Sequence, residues 1–249
     1  MKRETLEVLV SDTLDVQTVH PALELIAFSG SVALCGTVSF DMGSGSRRIT
    51  DAYQLRLEFP DDYPASPPVP YETGGAIPDG FEHVFADGSC CLGAPAEVRR
   101  RFLEHGSLLR FINEQVIPFL YSCSYWKKFG SMPFGELYHG YVGLFQYYLE
   151  FFEVGPPATM SLLRLLADNI RAPLMKCPCR SGASLRDCHG PKLDQLRSAL
   201  TPEEFERDLR QFIVAARASD IRVPGAALSR RLLRRERKKM GKRYRRKRR

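Results

Sequence analysis

Between Pro60 and Pro70 the stretch "PDDYPASPPVP" carries five prolines, and it follows directly on the strand-like run "YQLRLEF". Each proline lacks a backbone donor and fixes its own φ, so no sheet can continue through this stretch. The prolines are expected to end sheet pairing and stiffen the crossing, and residues 22–60 ahead of them read as antiparallel strands. "SVALCGTVSF" alternates Val32, Leu34, Gly36, Val38 and Phe40 with Ala33, Cys35, Thr37 and Ser39. "YQLRLEF" sets Tyr53, Leu55, Leu57 and Phe59 against Gln54, Arg56 and Glu58. Period-two alternation predicts antiparallel strands with one buried face, and "DMGSGSRR" between the runs supplies the turn. Cys35 falls in the core or on the sheet surface. Beyond the prolines, "IPDGFEHVFADGSCCLG" has neither helical nor strand period; long irregular stretches of this kind usually carry function.

Helical patterns follow. "SLLRFINEQVIPFLY" starts with Ser107 as a cap and keeps Leu108, Leu109, Ile112 and Val116 on one face until Pro118 kinks or ends it. "FGELYHGYVGLFQYYLEFFEVG" is closed by Gly155, Pro156 and Pro157. These two helices are expected to cover the sheet. "TMSLLRLLADNIRAP" is a connecting helix, and "TPEEFERDLRQFIVAARAS" offers Thr201, Pro202 and Glu204 as a capping box with proline in the first turn. The expected organisation is a domain over 1–155, a linker helix over 156–175, a cysteine-rich motif over 176–192, a helical segment over 193–220 and a basic tail over 221–249. No run approaches the roughly 20 apolar residues of a membrane span. The start "MKRETLEVLV" is unlike a signal peptide. A soluble cytoplasmic protein is the expectation.

The net charge of +7 conceals a division. From Arg230 to Arg249 the chain holds 14 Lys and Arg against one Glu, while the residues before it carry 22 basic against 28 acidic. Such a tail attracts polyanions by charge alone, nucleic acid or the ribosome among them, with affinity that falls as salt rises. It is equally consistent with a solvated, self-repelling, disordered segment.

Seven cysteines is an odd number and unlike a secreted disulfide framework. Four side chains stand out in "KCPCRSGASLRDCHG": Cys177, Cys179, Cys188 and His189, spaced C-x-C-x8-C-H. Three thiolates and an imidazole suit tetrahedral zinc in a closed, structural site. The segment resembles the SEC-C motif found at the end of the bacterial translocation ATPase and in many other bacterial proteins, with Arg180 where the motif usually has a glycine. The resemblance implies a zinc module that docks on a protein partner or on ribosomal or other nucleic acid.

The adjacent thiols of "ADGSCCLGAP" pose a separate question. Neighbouring cysteines do not readily bridge each other. One can be a small buried hydrophobe, or both can bind metal with partners elsewhere. "YQLRLEFPDDYPASPPVPYETGGAIPDGFEHVFADGSCCLG" resembles the core of ubiquitin-conjugating enzymes, particularly bacterial relatives, and the likeness spans roughly residues 20–155. Phe59, Pro60, Tyr63, Pro64, Pro67 and Pro68 match the family's proline run. His83 corresponds to its histidine, and Gly88, Cys91 and Leu92 to its Gly-x-x-Cys-Leu turn. The resemblance implies an α+β fold, an antiparallel β-meander packed with helices, to which a small zinc module and the basic tail are added. It further implies that Cys91 accepts a ubiquitin-like protein as a thioester from an activating enzyme and passes it to an amine. Cys90 then faces the fold, since neighbours in extended chain point opposite ways.

Two departures matter. The family's Pro and Asn after the histidine are Val84 and Phe85 here, and that Asn is the oxyanion donor. His83 can stand in as donor or base, or be a neutral ring packed on Phe85. Arg99, Arg100 and Arg101 can lower the thiol pKa or form a solvated face. Glu136 and His139, at i and i+3, could act as acid and base or tie into helix packing. The rival to the transferase is a non-catalytic, zinc-containing protein that docks on nucleic acid, ribosomes or a protein.

Overall fold

The computed structural model describes residues 3–28, 31–134 and 140–225, and the chain divides into two compact units, 1–137 and 138–249.

In the first unit a helix, α1 (Arg3–Val19), precedes four strands, β1 (Leu23–Phe28), β2 (Ser31–Met42), β3 (Ile49–Glu58) and β4 (Val69–Glu72). They form one antiparallel sheet in the order β1-β2-β3-β4, a meander as expected, but the prolines do not end the pairing: Pro70 of β4 stands opposite Leu57 on an edge strand, where a missing donor is tolerated. The register sets Leu34 opposite Leu57 and Val38 opposite Tyr53, so the alternating apolar residues share one buried face. Cys35 pairs with Arg56 on the outer face, half-buried. Gly36, at φ 143, lies where a Cβ would stand 1.9 Å from the Ala22 carbonyl oxygen, so the approach of the α1–β1 turn requires a glycine.

On the buried face lie α2 (Pro95–His105), α3 (Leu108–Phe111) and α4 (Ile117–Phe129), with a π-helical segment at Ile112–Val116 between the last two. Phe102, Phe111, Ile112, Leu120 and Cys123 join Leu34, Val38, Tyr53, Leu55 and Leu57 in the core. Ser107 caps α3, as expected, accepting from the Arg110 N–H. Pro118 does not end the helix. It sits in the first turn of α4, directly after the π segment, where the Ile117 N–H reaches the Ile112 carbonyl. The widened turn accommodates the missing donor. The sequence reading assigns no element to 3–19; α1 buries Leu9 and Val16 and is tied to the proline crossing where the Tyr63 hydroxyl donates to Asp12.

The second unit contains α5 (Gly140–Phe152), α6 (Pro156–Ala167), α7 (Gly190–Ala199) and α8 (Pro202–Ala218). The division falls at 137/138, ahead of the boundary expected at 155, because α5 packs on α8 together with α6. Tyr148 and Phe152 of α5, Leu162 and Leu163 of α6, and Leu209 and Phe212 of α8 are fully buried. The capping box of α8 forms, with Thr201 accepting from the Glu204 N–H and Glu204 accepting from the Thr201 N–H. No helix among the described residues is long and apolar enough to cross a membrane.

Candidate metal centre and cysteine turn

Residues 83–91 fold into a short hairpin. Val84 bridges Cys90, the Cys91 N–H donates to the His83 carbonyl at 2.8 Å, and the Phe85 N–H donates to the Ser89 carbonyl at 2.9 Å. Gly88, at φ 84, closes the turn, its N–H bonding the Phe85 carbonyl. Asp87 accepts from both the N–H and the hydroxyl of Ser89. The hairpin is stitched to β4 by the Cys90 N–H, which donates to the Pro70 carbonyl at 2.8 Å.

This backbone gives the adjacent thiols different surroundings. Cys90 is 5 % exposed and belongs to the core. Burial pushes its thiol up to about 12, so it is inert at neutral pH. Cys91 is partly exposed. Its pKa is also raised by burial, opposed by the Gly93 N–H that donates to its sulfur. Arg100 and Arg101 pair one helical turn away with Glu104 and Glu97. His83 is buried, its ring against Phe81 at a centroid distance of 5.1 Å, while Phe85 stands exposed. Phe81 in turn touches Phe119 and Trp126. Register sets His83 opposite Cys91, and directly opposed residues of an antiparallel pair project to the same side.

In the second unit the four cysteine and histidine positions of the motif converge. One ligand atom from each of Cys177, Cys179, Cys188 and His189 lies within 4.8 Å of all the others. The His189 Nδ1 is 3.3 Å from Cys177 Sγ and 3.1 Å from Cys188 Sγ, and Cys179 Sγ is 3.5 Å from Cys188 Sγ. The other ring nitrogen, Nε2, is 2.9 Å from the Phe152 carbonyl oxygen. A carbonyl can only accept, so Nε2 carries the proton and Nδ1 offers its lone pair to the cluster. This is the arrangement that a metal-binding imidazole needs. Lys192 holds the same helix end by donating to the Phe151 carbonyl at 2.8 Å.

The loop geometry explains how the ligands meet. The Arg180 N–H bonds the Cys177 carbonyl and the Cys177 N–H bonds the Ala183 carbonyl, which turns the chain back on itself. Arg180 takes φ 67, the left-handed conformation that a glycine adopts without strain. Gly190 must be glycine, since a Cβ there would lie 2.7 Å from the Leu185 carbonyl oxygen. Burial pushes the Cys177 thiol up to about 11. Burial acts the same way at Cys179, but hydrogen bonds from the Ser181 hydroxyl and N–H outweigh it and bring that thiol down to about 6. The four residues therefore form a candidate metal centre whose soft donor set fits a tetrahedral cation. The Phe152 carbonyl and the Gly93 N–H were not foreseeable from sequence, because every residue but proline carries both groups. Glu136, His139 and the Arg230–Arg249 tail lie outside the described residues.

In comparisons with known proteins, no family model, no curated protein and no solved structure matches the chain.

Proposed function

We propose that the sheet unit is a transferase of the ubiquitin-conjugating kind with Cys91 as its acceptor thiol, and that Cys177, Cys179, Cys188 and His189 hold a structural zinc ion. The observation that carries the first part is the division of the thiols, Cys90 buried in the core and Cys91 partly exposed. A nucleophile needs access, and of the pair only Cys91 has it.

The reaction has two halves. The Cys91 thiol loses its proton and attacks the carbonyl carbon of a thioester at the carboxyl terminus of a ubiquitin-like protein. A new C–S bond forms, and the activating enzyme's thiolate leaves and takes up a proton. An acceptor amine then attacks the same carbon, an amide forms, and Cys91 departs as thiolate to be reprotonated. Because burial raises the Cys91 pKa, the resting group is a thiol and a proton acceptor is required at the moment of attack. His83, opposite Cys91 in register, fills that role or donates to the oxyanion in place of the absent Asn.

The non-catalytic docking protein is the second reading, favoured by one observation: burial raises the Cys91 pKa, the opposite of what activates a thiol nucleophile. Reconstitution with an activating enzyme, ATP and a ubiquitin-like protein separates the two. Wild type and Cys90→Ala should form an adduct that thiols cleave, Cys91→Ala none, and Cys91→Ser a thiol-resistant ester. An adduct lost in Cys90→Ala alone moves the nucleophile by one residue, and no adduct in any form leaves the docking protein.

A further inference from the structure

The connector leaving α6, the metal loop and the start of α7 enclose a cavity of about 290 Å3. Three arginines, Arg171, Arg186 and Arg197, line it, together with one acidic residue, Asp194. Arg197 is fixed in place, donating to Asp194 and to the Ile170 carbonyl, both at 2.7 Å. Arg186 is exposed and ion-paired with the likewise exposed Asp187, its Nε donating to Oδ1 at 3.2 Å. Arg171 is exposed and has no ion-pair or hydrogen-bond partner among the described residues. The rest of the wall includes the apolar surfaces of Pro173, Leu185 and Pro191. Over 170–197 the sequence holds six basic side chains against two acidic.

The metal centre sets the shape of this wall. Cys188 and His189 lie between Arg186 and Gly190 in the chain. The loop is pinned by the Arg186 N–H on the Pro173 carbonyl, the Leu185 N–H on the Met175 carbonyl and the Gly190 N–H on the Leu185 carbonyl.

We propose that this cavity binds one nucleotide of single-stranded nucleic acid, its phosphate held by Arg171 and Arg186 and its base laid against Pro173 and Pro191. Forked guanidinium donors match phosphate oxygens better than a point charge does, and a flat ring suits proline surfaces. A recess of this size takes one unstacked base, not a duplex. An acidic peptide satisfies the arginines but leaves the apolar wall without a ring. The basic segment Arg230–Arg249 of the same chain adds sequence-independent attraction for the same polyanion. The site is separate from Cys91, and its occupancy is read without any transfer reaction.

The test uses the full-length, zinc-loaded chain and a labelled uridine hexanucleotide at near-physiological salt. Arg171→Ala/Arg186→Ala should weaken binding about tenfold or more, whereas Arg245→Ala/Arg246→Ala, which removes the same charge from the tail, should cost no more than about threefold. Both cavity arginines are exposed, so zinc content should not change; should it fall in the double variant, Arg171→Gln alone, outside the metal loop, is the deciding variant, with an expected loss of about threefold against an essentially unchanged affinity for the matching single tail variant Arg245→Gln. Chelation of the metal should abolish the difference between cavity variant and wild type. Equal losses in cavity and tail variants, an unaffected cavity variant, a duplex bound as well as the single strand, or a glutamate hexapeptide that competes as well as the oligonucleotide would each overturn the proposal.

Discussion

The two units use cysteine in opposite ways. In the sheet unit Cys90 and Cys91 are neighbours in sequence, yet a hairpin gives them different environments, one sulfur in the core and the other partly in solvent. In the helical unit Cys177 and Cys188 are eleven residues apart, yet with Cys179 and His189 their ligand atoms come within 4.8 Å. Adjacency along an extended chain separates side chains, because successive residues point to opposite faces. Turns bring them together, because they reverse the chain and let separated positions face one point. The first arrangement leaves one accessible thiol; the second makes a closed set of donors.

The largest effect expected from this contrast is on the metal side. Removing zinc with a chelator, or substituting Cys177→Ser, should abolish metal binding and hydrogen-exchange protection over 175–190 while the sheet unit keeps its protection. Binding at structural zinc sites is worth on the order of 10 kcal/mol. Undiminished metal in Cys177→Ser, measured by elemental analysis, would break the contrast at its root. Next comes the exposure of Cys91. Limited alkylation near pH 8, followed by mass spectrometry of the metal-loaded protein, should label Cys91 roughly tenfold or more faster than Cys90. Equal rates would mean that the hairpin does not divide the thiols.

A smaller effect belongs to the helical unit alone. Tyr148 donates to Asp208 at 2.6 Å, and burial, only partly offset by that bond, raises Asp208 to about 6. Its folded pKa lies above the unfolded value near 3.9, so the protonated carboxyl favours folding. That contribution is full below about pH 4 and is lost as the pH rises through about 6. Asp208→Asn keeps an acceptor for Tyr148 and should remove this slope, leaving the unit on the order of 3 kcal/mol more stable at pH 7 in denaturant titrations. Loss of metal in acid works in the opposite sense, as protons compete for the thiolates, so the variant separates the two. The smallest expected change is Arg180→Gly. Relieving a left-handed arginine should stabilise the metal loop by about 1 kcal/mol, seen as a rise of a few degrees in the melting temperature of the helical unit.

Much of this architecture was legible before folding. The alternation in 31–40 and 53–59 predicted the buried face of the meander, and the prolines after Phe59 bounded its long strands, leaving only the four-residue β4 beyond the first of them. Thr201 and Glu204 announced the start of α8, and the motif spacing announced the four donors. Other features were not legible. The sequence of α1 mixes β-branched and acidic residues with no clear stripe, and its place is set by tertiary contacts, Leu9 and Val16 in the core and Asp12 bonded to Tyr63 across 51 residues. An apolar helix such as α5 shows that it must be covered, but not by which partner, and within its own unit it packs on α8, with Phe145 against Phe212. Pro118 was readable as a kink or an end of the helix, and a local pattern cannot show that the preceding turn widens to π and lets the helix run on.

What the sequence determined by itself is local and periodic: which faces are apolar, where the backbone must turn, and which residue types can bind a soft cation. These follow from side-chain chemistry and from the fixed repeats of strand and helix. Tertiary structure decided what depends on groups that every residue carries or on neighbours distant in the chain. It pairs the His189 Nε2 with the Phe152 carbonyl, 37 residues away, and so frees Nδ1 for the cluster. It also buries Cys90 and leaves Cys91 partly in solvent. Sequence names the donors and thiols, but the protonation of one ring nitrogen and the exposure of one sulfur depend on the atoms that surround them, and only the folded chain brings those atoms into place.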